Sequence, residues 1–216
     1  MTRFCDRVAA GNELAKALHD LHGRDDLLVL GIPRGGVVVA VQVARALNAP
    51  LDVCLTHKLG APDNPELAIG AIAEGGQVVL DQVLIKELWV SPRYLEAETQ
   101  RQRKELERRA KLYRGERPAP QIVNRTVIVI DDGLATGSTM MASLKALDAQ
   151  APTSLIVAVP VAPPQAIHRL APLADRVECL LAPTPFWAVG AFYDIFDQVS
   201  DDEVIRLLQM TNDRSA

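Results

Sequence analysis

The sequence predicts an α/β domain: an open parallel sheet of about five strands, with helices on both faces. Three observations carry that expectation. Short aliphatic runs at Leu27–Leu30, Leu51–Leu55, Thr126–Ile130, Ser154–Val159 and Arg176–Leu181 read as strands, the third a continuous β-branched run of the kind buried on both faces. Between them lie helical patterns, such as Met140–Ala149 with Met141, Leu144 and Leu147 spaced for one apolar face. Two strands also run directly into glycine loops that open helices, Gly31–Gly36 and Asp131–Thr139. The carboxyl end of a parallel strand is where open α/β sheets bind ligands.

In chain order, Asn12–Leu21 reads as an amphipathic helix with Leu14, Leu18 and Leu21 on one side. The first strand leads through Gly31-Ile32-Pro33-Arg34-Gly35-Gly36 to an apolar helix, Val37–Leu47. After the second strand, Leu67–Ala73 and Gln77–Leu80 flank Glu74-Gly75-Gly76 as a hairpin. A long polar helix covers Pro92–Arg114, so Lys58–Pro120 stands out as an insertion in the sheet pattern. Ser91–Arg117 holds nine Lys or Arg against five Glu, and Arg101, Lys104, Arg108 and Lys111 share one stripe. Pro160 is expected to end the fourth strand, and Pro164–Leu170 makes a short helix. A proline-bounded aromatic segment follows the fifth strand, and Asp201–Gln209 closes as a helix capped by Ser200 or Asp201.

Composition narrows the classes. With 216 residues the chain is most simply one domain, 1–216, and 49% hydrophobic residues suffice for a core. A net charge of −4 gives no basic field for nucleic acid. No apolar run is long enough to span a bilayer, and Met1–Ala10 shows no signal-peptide core. Cys5, Cys54 and Cys179 have no metal or redox spacing and read as reduced thiols of a cytoplasmic protein.

The loop Asp131–Thr139 carries the chemistry. Amides from Ala135 to Thr139 would face outward at a helix N-terminus, which suits a phosphate, and Thr136, Ser138 and Thr139 add hydroxyl donors. Adjacent carboxylates accept well from vicinal hydroxyls. A ribose 5-phosphate therefore fits, with its hydroxyls on Asp131 and Asp132 and its phosphate on Thr136–Thr139.

At these residues the sequence resembles the type I phosphoribosyltransferases, which bind phosphoribosyl pyrophosphate (PRPP). Their signature is four apolar residues, two acids, two mostly apolar positions and a small-Thr-Gly-x-Thr loop. Val127–Thr139 fits except at Gly133, where the family usually has an aliphatic residue or Ser; glycine should loosen the loop without removing a ligand group. The resemblance implies Asp131 and Asp132 as catalytic residues. It implies Asp131, Asp132, Gly133, Leu134, Ala135, Thr136, Gly137, Ser138 and Thr139 as the ribose-phosphate site. It also implies Arg34, Gly35, Gly36 and Lys58 for pyrophosphate, a lid at 58–120, and a hood at 182–200 whose Trp187 or Tyr193 stacks on the acceptor base. Mg²⁺ would bind through PRPP with no direct protein ligand, and the family is commonly homodimeric. Enzymes acting on hypoxanthine and guanine usually have Asp at the position of Ala135, so the loop looks more like the adenine type, although no base is identified. Pro-Arg-Gly-Gly, His-Lys-Leu-Gly, Asn-Pro-Glu-Leu-Ala-Ile-Gly-Ala and the acid loop together look like stand-alone bacterial proteins of this family. The implied reaction displaces pyrophosphate from C1 of the ribose by a nitrogenous base. A non-catalytic PRPP sensor and a phosphoribosyl hydrolase or phosphorylase are the alternatives on the same fold.

Overall fold

The structure is a computed structural model and describes residues 3–212. Met1, Thr2 and 213–216 lie outside it, including the first two residues of the N-terminal stretch read above. In chain order the strands are β1 (Leu27–Gly31), β2 (Leu51–Val53), β3 (Thr56–Ala61), β4 (Asn64–Ala73), β5 (Val78–Leu80), β6 (Thr126–Ile130), β7 (Ser154–Val161) and β8 (Arg176–Leu181). The helices are α1 (Arg7–Ala17), α2 (Gly35–Leu47), α3 (Gln82–Glu87), α4 (Pro92–Arg114), α5 (Ser138–Asp148), α6 (Pro164–Leu170) and α7 (Asp201–Asn212).

The five expected strands form one parallel sheet in the order β2-β1-β6-β7-β8. Successive side chains point to opposite faces. Val29, Ile128 and Ile130 pack with α1, α2 and α7, while Leu30, Val127 and Val129 pack with α5 and α6. Strand order reverses between β1 and β6. At such a switch point the following helices leave toward opposite faces, here α2 to one and α5 to the other, and ligands bind at the strand ends between them.

Differences from expectation have local causes. Helix α1 starts at Arg7 because the Asp6 carboxylate accepts the Ala9 amide at 2.7 Å, capping an otherwise unpaired donor. Strand β7 continues through Pro160 because its pairing with β8 holds on both sides, at Val159 opposite Cys179 and Val161 opposite Leu181. The expected hairpin exists, with Ala71 opposite Val79, but β3 adds a third antiparallel strand to it. Its polar Thr56-His57-Lys58 start hid β3 in the sequence.

The inserted region is built into the body. Ala71 and Ala73 of β4 meet Ala142 and Ala146 of α5, four small side chains that let sheet and helix approach closely. Helix α4 has the expected bounds, with Ser91 Oγ capping the Tyr94 amide at 3.2 Å. Leu106 and Tyr113 of α4 join the main core, so a freely moving lid does not describe its C-terminal half. Among the described residues, no helix is long and apolar enough to cross a membrane.

Candidate active site at the strand switch point

The loops after β1 and β6 lie against each other. The Ile32 amide donates to the Ile130 carbonyl at 2.8 Å, which holds them in register. A Cβ on Gly36 would stand 2.7 Å from the Ile130 carbonyl oxygen and 2.8 Å from Asp131 Cα. On Gly35 it would stand 1.9 Å from Asp132 Oδ2. These glycines therefore have a role beyond exposing amides: they let the Pro-Arg-Gly-Gly backbone press on the acid pair. The Pro33–Arg34 peptide is cis.

Two alanine substitutions should separate fold from site. Gly36→Ala meets main chain, which yields poorly, and should cost about 1–3 kcal/mol, read as a lower Tm. Gly35→Ala meets only side-chain atoms, the Asp132 carboxylate and Arg7 Nε, so Tm should fall less than in Gly36→Ala while the carboxylate is pushed aside and ligand binding at the acid pair weakens. Equal Tm losses in both variants would contradict this division.

Asp131 and Asp132 are each anchored through one oxygen. Asp131 Oδ1 accepts the Asp132 amide at 2.9 Å. Asp132 Oδ2 accepts Arg7 Nε at 2.7 Å, with the Asp132 side chain only 15% exposed. The sequence placed the ribose hydroxyls on both acids; each has one oxygen committed to the protein. Burial, then the neighbouring Asp132 charge, pushes the Asp131 carboxyl well above the usual carboxylate range, and Arg7 opposes that shift.

The phosphate loop needs two corrections. Leu134 is buried in the core and its amide donates to the Val161 carbonyl at 2.9 Å, so it does not offer that amide to a phosphate. Gly133 tightens the loop rather than loosening it, since a Cβ there would stand 2.5 Å from Val189 Cγ1 of the hood. Ala135, Thr136 and Thr139 are exposed, and Ser138 is half-buried. Gly137 takes φ 77° at the start of α5, a left-handed conformation that glycine adopts without steric cost. The Thr136 hydroxyl contacts Ser138 Oγ at 2.9 Å and accepts the Ser138 amide at 3.3 Å, partly filling the helix mouth. Arg169 of α6 donates to the Thr136 carbonyl at 2.6 Å and so braces the loop.

Arg34 and Lys58 line separate cavities along α4. Arg34 shares one of about 410 Å³ with Arg108, Arg109, Tyr113 and Asp201. Lys58 shares one of about 320 Å³ with Thr139, Tyr94 and Arg101, beside the phosphate loop rather than beside Arg34. Of the basic stripe, Arg101 and Arg108 thus border these cavities, joined by Arg109. Glu105 accepts from both Arg108 and Arg109 at 2.8 Å. His57 is structural here: its Nδ1 pairs with Gln102 Oε1 at 2.7 Å, and burial lowers its pKa.

The hood corrects one assignment. Tyr193 is 3% exposed, and its hydroxyl donates to the Asp132 carbonyl at 2.6 Å; it supports the acid loop rather than presenting a face to a base. Trp187 is 81% exposed. Arg7, Arg169 and Arg109 were missed in the sequence. No local signal marks Arg7, which lies 125 residues from Asp132 and meets it only through the fold.

Among the described residues no group of three or more His, Cys, Asp or Glu side chains gathers as a metal cage.

Comparison with known proteins agrees with this geometry. A protein of Mycobacterium tuberculosis named "Putative phosphoribosyl transferase", found in two strains, is 42% identical over 208 residues, which is 96% of this chain. The chain spans about half of that relative, 47% of its length. The crystal structure of TT1426 from Thermus thermophilus superposes with TM-score 0.89 at 46% identity, covering 97% of this chain and 99% of that one. The phosphoribosyl transferase domain model matches residues 5–194, and with that match the chain belongs to the phosphoribosyl transferase domain family.

Proposed function

We propose that the chain transfers the 5-phosphoribosyl group of PRPP to a nitrogenous base and releases pyrophosphate, with Mg²⁺ bound through PRPP. The observation that carries this reading is the contact of two loops at the strand switch point, with Gly35 and Gly36 pressed on Asp132 and Asp131. A sugar held there has carboxylates on one side and the α5 mouth on the other.

The second oxygen of each acid accepts a ribose hydroxyl, while Thr136, Ser138 and Thr139 hold the 5-phosphate. The diphosphate extends toward Arg34, where Arg108 and Arg109 supply further positive charge. The C1–O bond to pyrophosphate breaks as the base nitrogen bonds to C1, and the base's proton leaves to solvent. Positive charge develops on the ribose in between, and the adjacent carboxylates favour it electrostatically. Mg²⁺, when bound, neutralises the departing diphosphate. Trp187 remains the candidate for stacking on the base. The three free cysteines fit a reducing cytoplasm.

The test is pyrophosphate release from PRPP and Mg²⁺ across a panel of bases. Release that depends on one base is the expected result. Release without any base would replace the transferase with a hydrolase, and tight PRPP binding without turnover would make the protein a sensor.

A further inference from the structure

Arg7 takes no part in the transfer step, yet its guanidinium joins three parts of the molecule. Nε donates to Asp132 Oδ2 at 2.7 Å, and Nη1 donates to the Asp197 carbonyl at 2.7 Å. Its Cζ lies 3.8 Å over the Phe196 ring. A Cβ on Gly35 would be 2.9 Å from Arg7 Nε, so the Pro-Arg-Gly-Gly loop abuts the same group. The side chain is 12% exposed, unlike a solvated surface pair, whose contribution is small. Its position is set from upstream as well: the Phe4 amide donates to the Phe192 carbonyl, and the Asp194 and Ile195 amides donate to the Phe4 and Cys5 carbonyls, each at 2.9 Å.

We propose that Arg7 is a positioning residue of the sugar site: it holds Asp132 by Oδ2 so that Oδ1 meets the ribose hydroxyls, and it ties the hood to the acid pair. The proposal rests on the transferase reading of this site. Two adjacent buried carboxylates repel, and without a counter-charge one of them takes up a proton. A protonated acid gives the diol one acceptor fewer. Arg7 supplies the counter-charge. The other titratable groups facing the pair are the Tyr193 hydroxyl from the hood and the buried Cys54 thiol beyond β2, both electrostatically coupled to Asp131. The glycines of the β1–α2 loop add no charge.

The test compares wild type, Arg7→Met and Arg7→Lys as full chains with Mg²⁺. Calorimetry measures ribose 5-phosphate and inorganic pyrophosphate binding across pH, and carboxyl carbon NMR follows Asp131 and Asp132 without ligand. Arg7→Met should weaken ribose 5-phosphate by about tenfold or more, the loss of one charge-assisted hydrogen bond, and spare pyrophosphate. Its binding should fail at a pH about one unit higher on acidification, because removing a nearby cation raises a carboxyl pKa. The Asp131 resonance should titrate higher too, because Arg7 opposes its upward shift, and Arg7→Lys should restore most of both effects. Unmoved titration with unchanged ribose 5-phosphate affinity overturns the proposal. So does equal loss of both ligands with a collapsed Tm, which marks a purely structural residue. If wild type ignores ribose 5-phosphate, the transferase reading fails by itself, and the ligand-free Asp131 titration still decides whether Arg7 sets the charge of the acid pair.

Discussion

Replacing Asp131 and Asp132 together by asparagine is expected to abolish PRPP binding in the working range. In the proposed pose each carboxylate offers its second oxygen to a ribose hydroxyl. A hydrogen bond to a charged acceptor contributes about 1.5–3 kcal/mol, so losing two removes roughly 3–6 kcal/mol, or about 10²–10⁴ in affinity. Calorimetry with PRPP and Mg²⁺ measures it, and unchanged affinity would remove the site assignment. Stability should move the other way. Asp131 has a folded-state pKa raised by burial and by Asp132. Its contribution is fully present below the unfolded carboxyl value, about 3.9, and is lost as pH rises through the raised folded value. Above the unfolded carboxyl value the raised folded pKa therefore opposes folding. Asp131→Asn keeps an oxygen for the Asp132 amide and carries no charge. Its Tm should exceed that of wild type at neutral pH, and the gap should close toward pH 4. Such a site holds binding capacity at the expense of stability.

What could be read from the sequence, and what could not, follows the range of the forces involved. Strand β6 and helix α4 appear with the expected bounds because hydrophobic pattern, prolines and a capping serine are local. The acid loop was legible for the same reason, since nine consecutive residues hold its chemistry. Gly133 was misread because its reason is Val189, which arrives from the hood. Leu134 was taken as a ligand because a motif does not reveal which amides the neighbouring strand consumes. Tyr193 was read as a stacking face because an aromatic in a loop looks the same in sequence whether its ring is buried or open. Arg7 and Arg169 were silent for a related reason: a lone arginine in a helix gives no hint of the distant carboxylate or carbonyl it will meet. The motif marked the loop, and tertiary packing decided which of its atoms stay exposed.

Arg114→Ala should be the most destabilising single change among the charged residues of the site and its supports. Its side chain is 2% exposed at the end of α4. Nε donates to Asp52 Oδ1 at 2.7 Å, Nη1 donates to Glu74, and Nη2 donates to the Val53 carbonyl at 3.0 Å. Asp52 is buried as well. Removing one member of a buried ion network leaves its partners uncompensated and costs about 3–5 kcal/mol. For a domain of this size that lowers Tm on the order of 10 °C. Changing the partners with it, as Asp52→Asn, Glu74→Gln and Arg114→Met, should recover much of the loss, because the penalty lies in stranded charge rather than in a missing contact. A triple variant as unstable as Arg114→Ala would show that the guanidinium's packing matters more than its charge. The network also bears on function, since it fastens α4 to the carboxyl end of β2 and to the turn after β4. Arg108 and Arg109 lie one to two helical turns before Arg114, and Arg34 faces them across a shared cavity. If α4 supplies cations to the diphosphate, Arg114→Ala measured well below its Tm should weaken pyrophosphate more than ribose 5-phosphate. Equal affinities for both ligands would reduce α4 to a strut and leave Arg34 to hold the diphosphate without it.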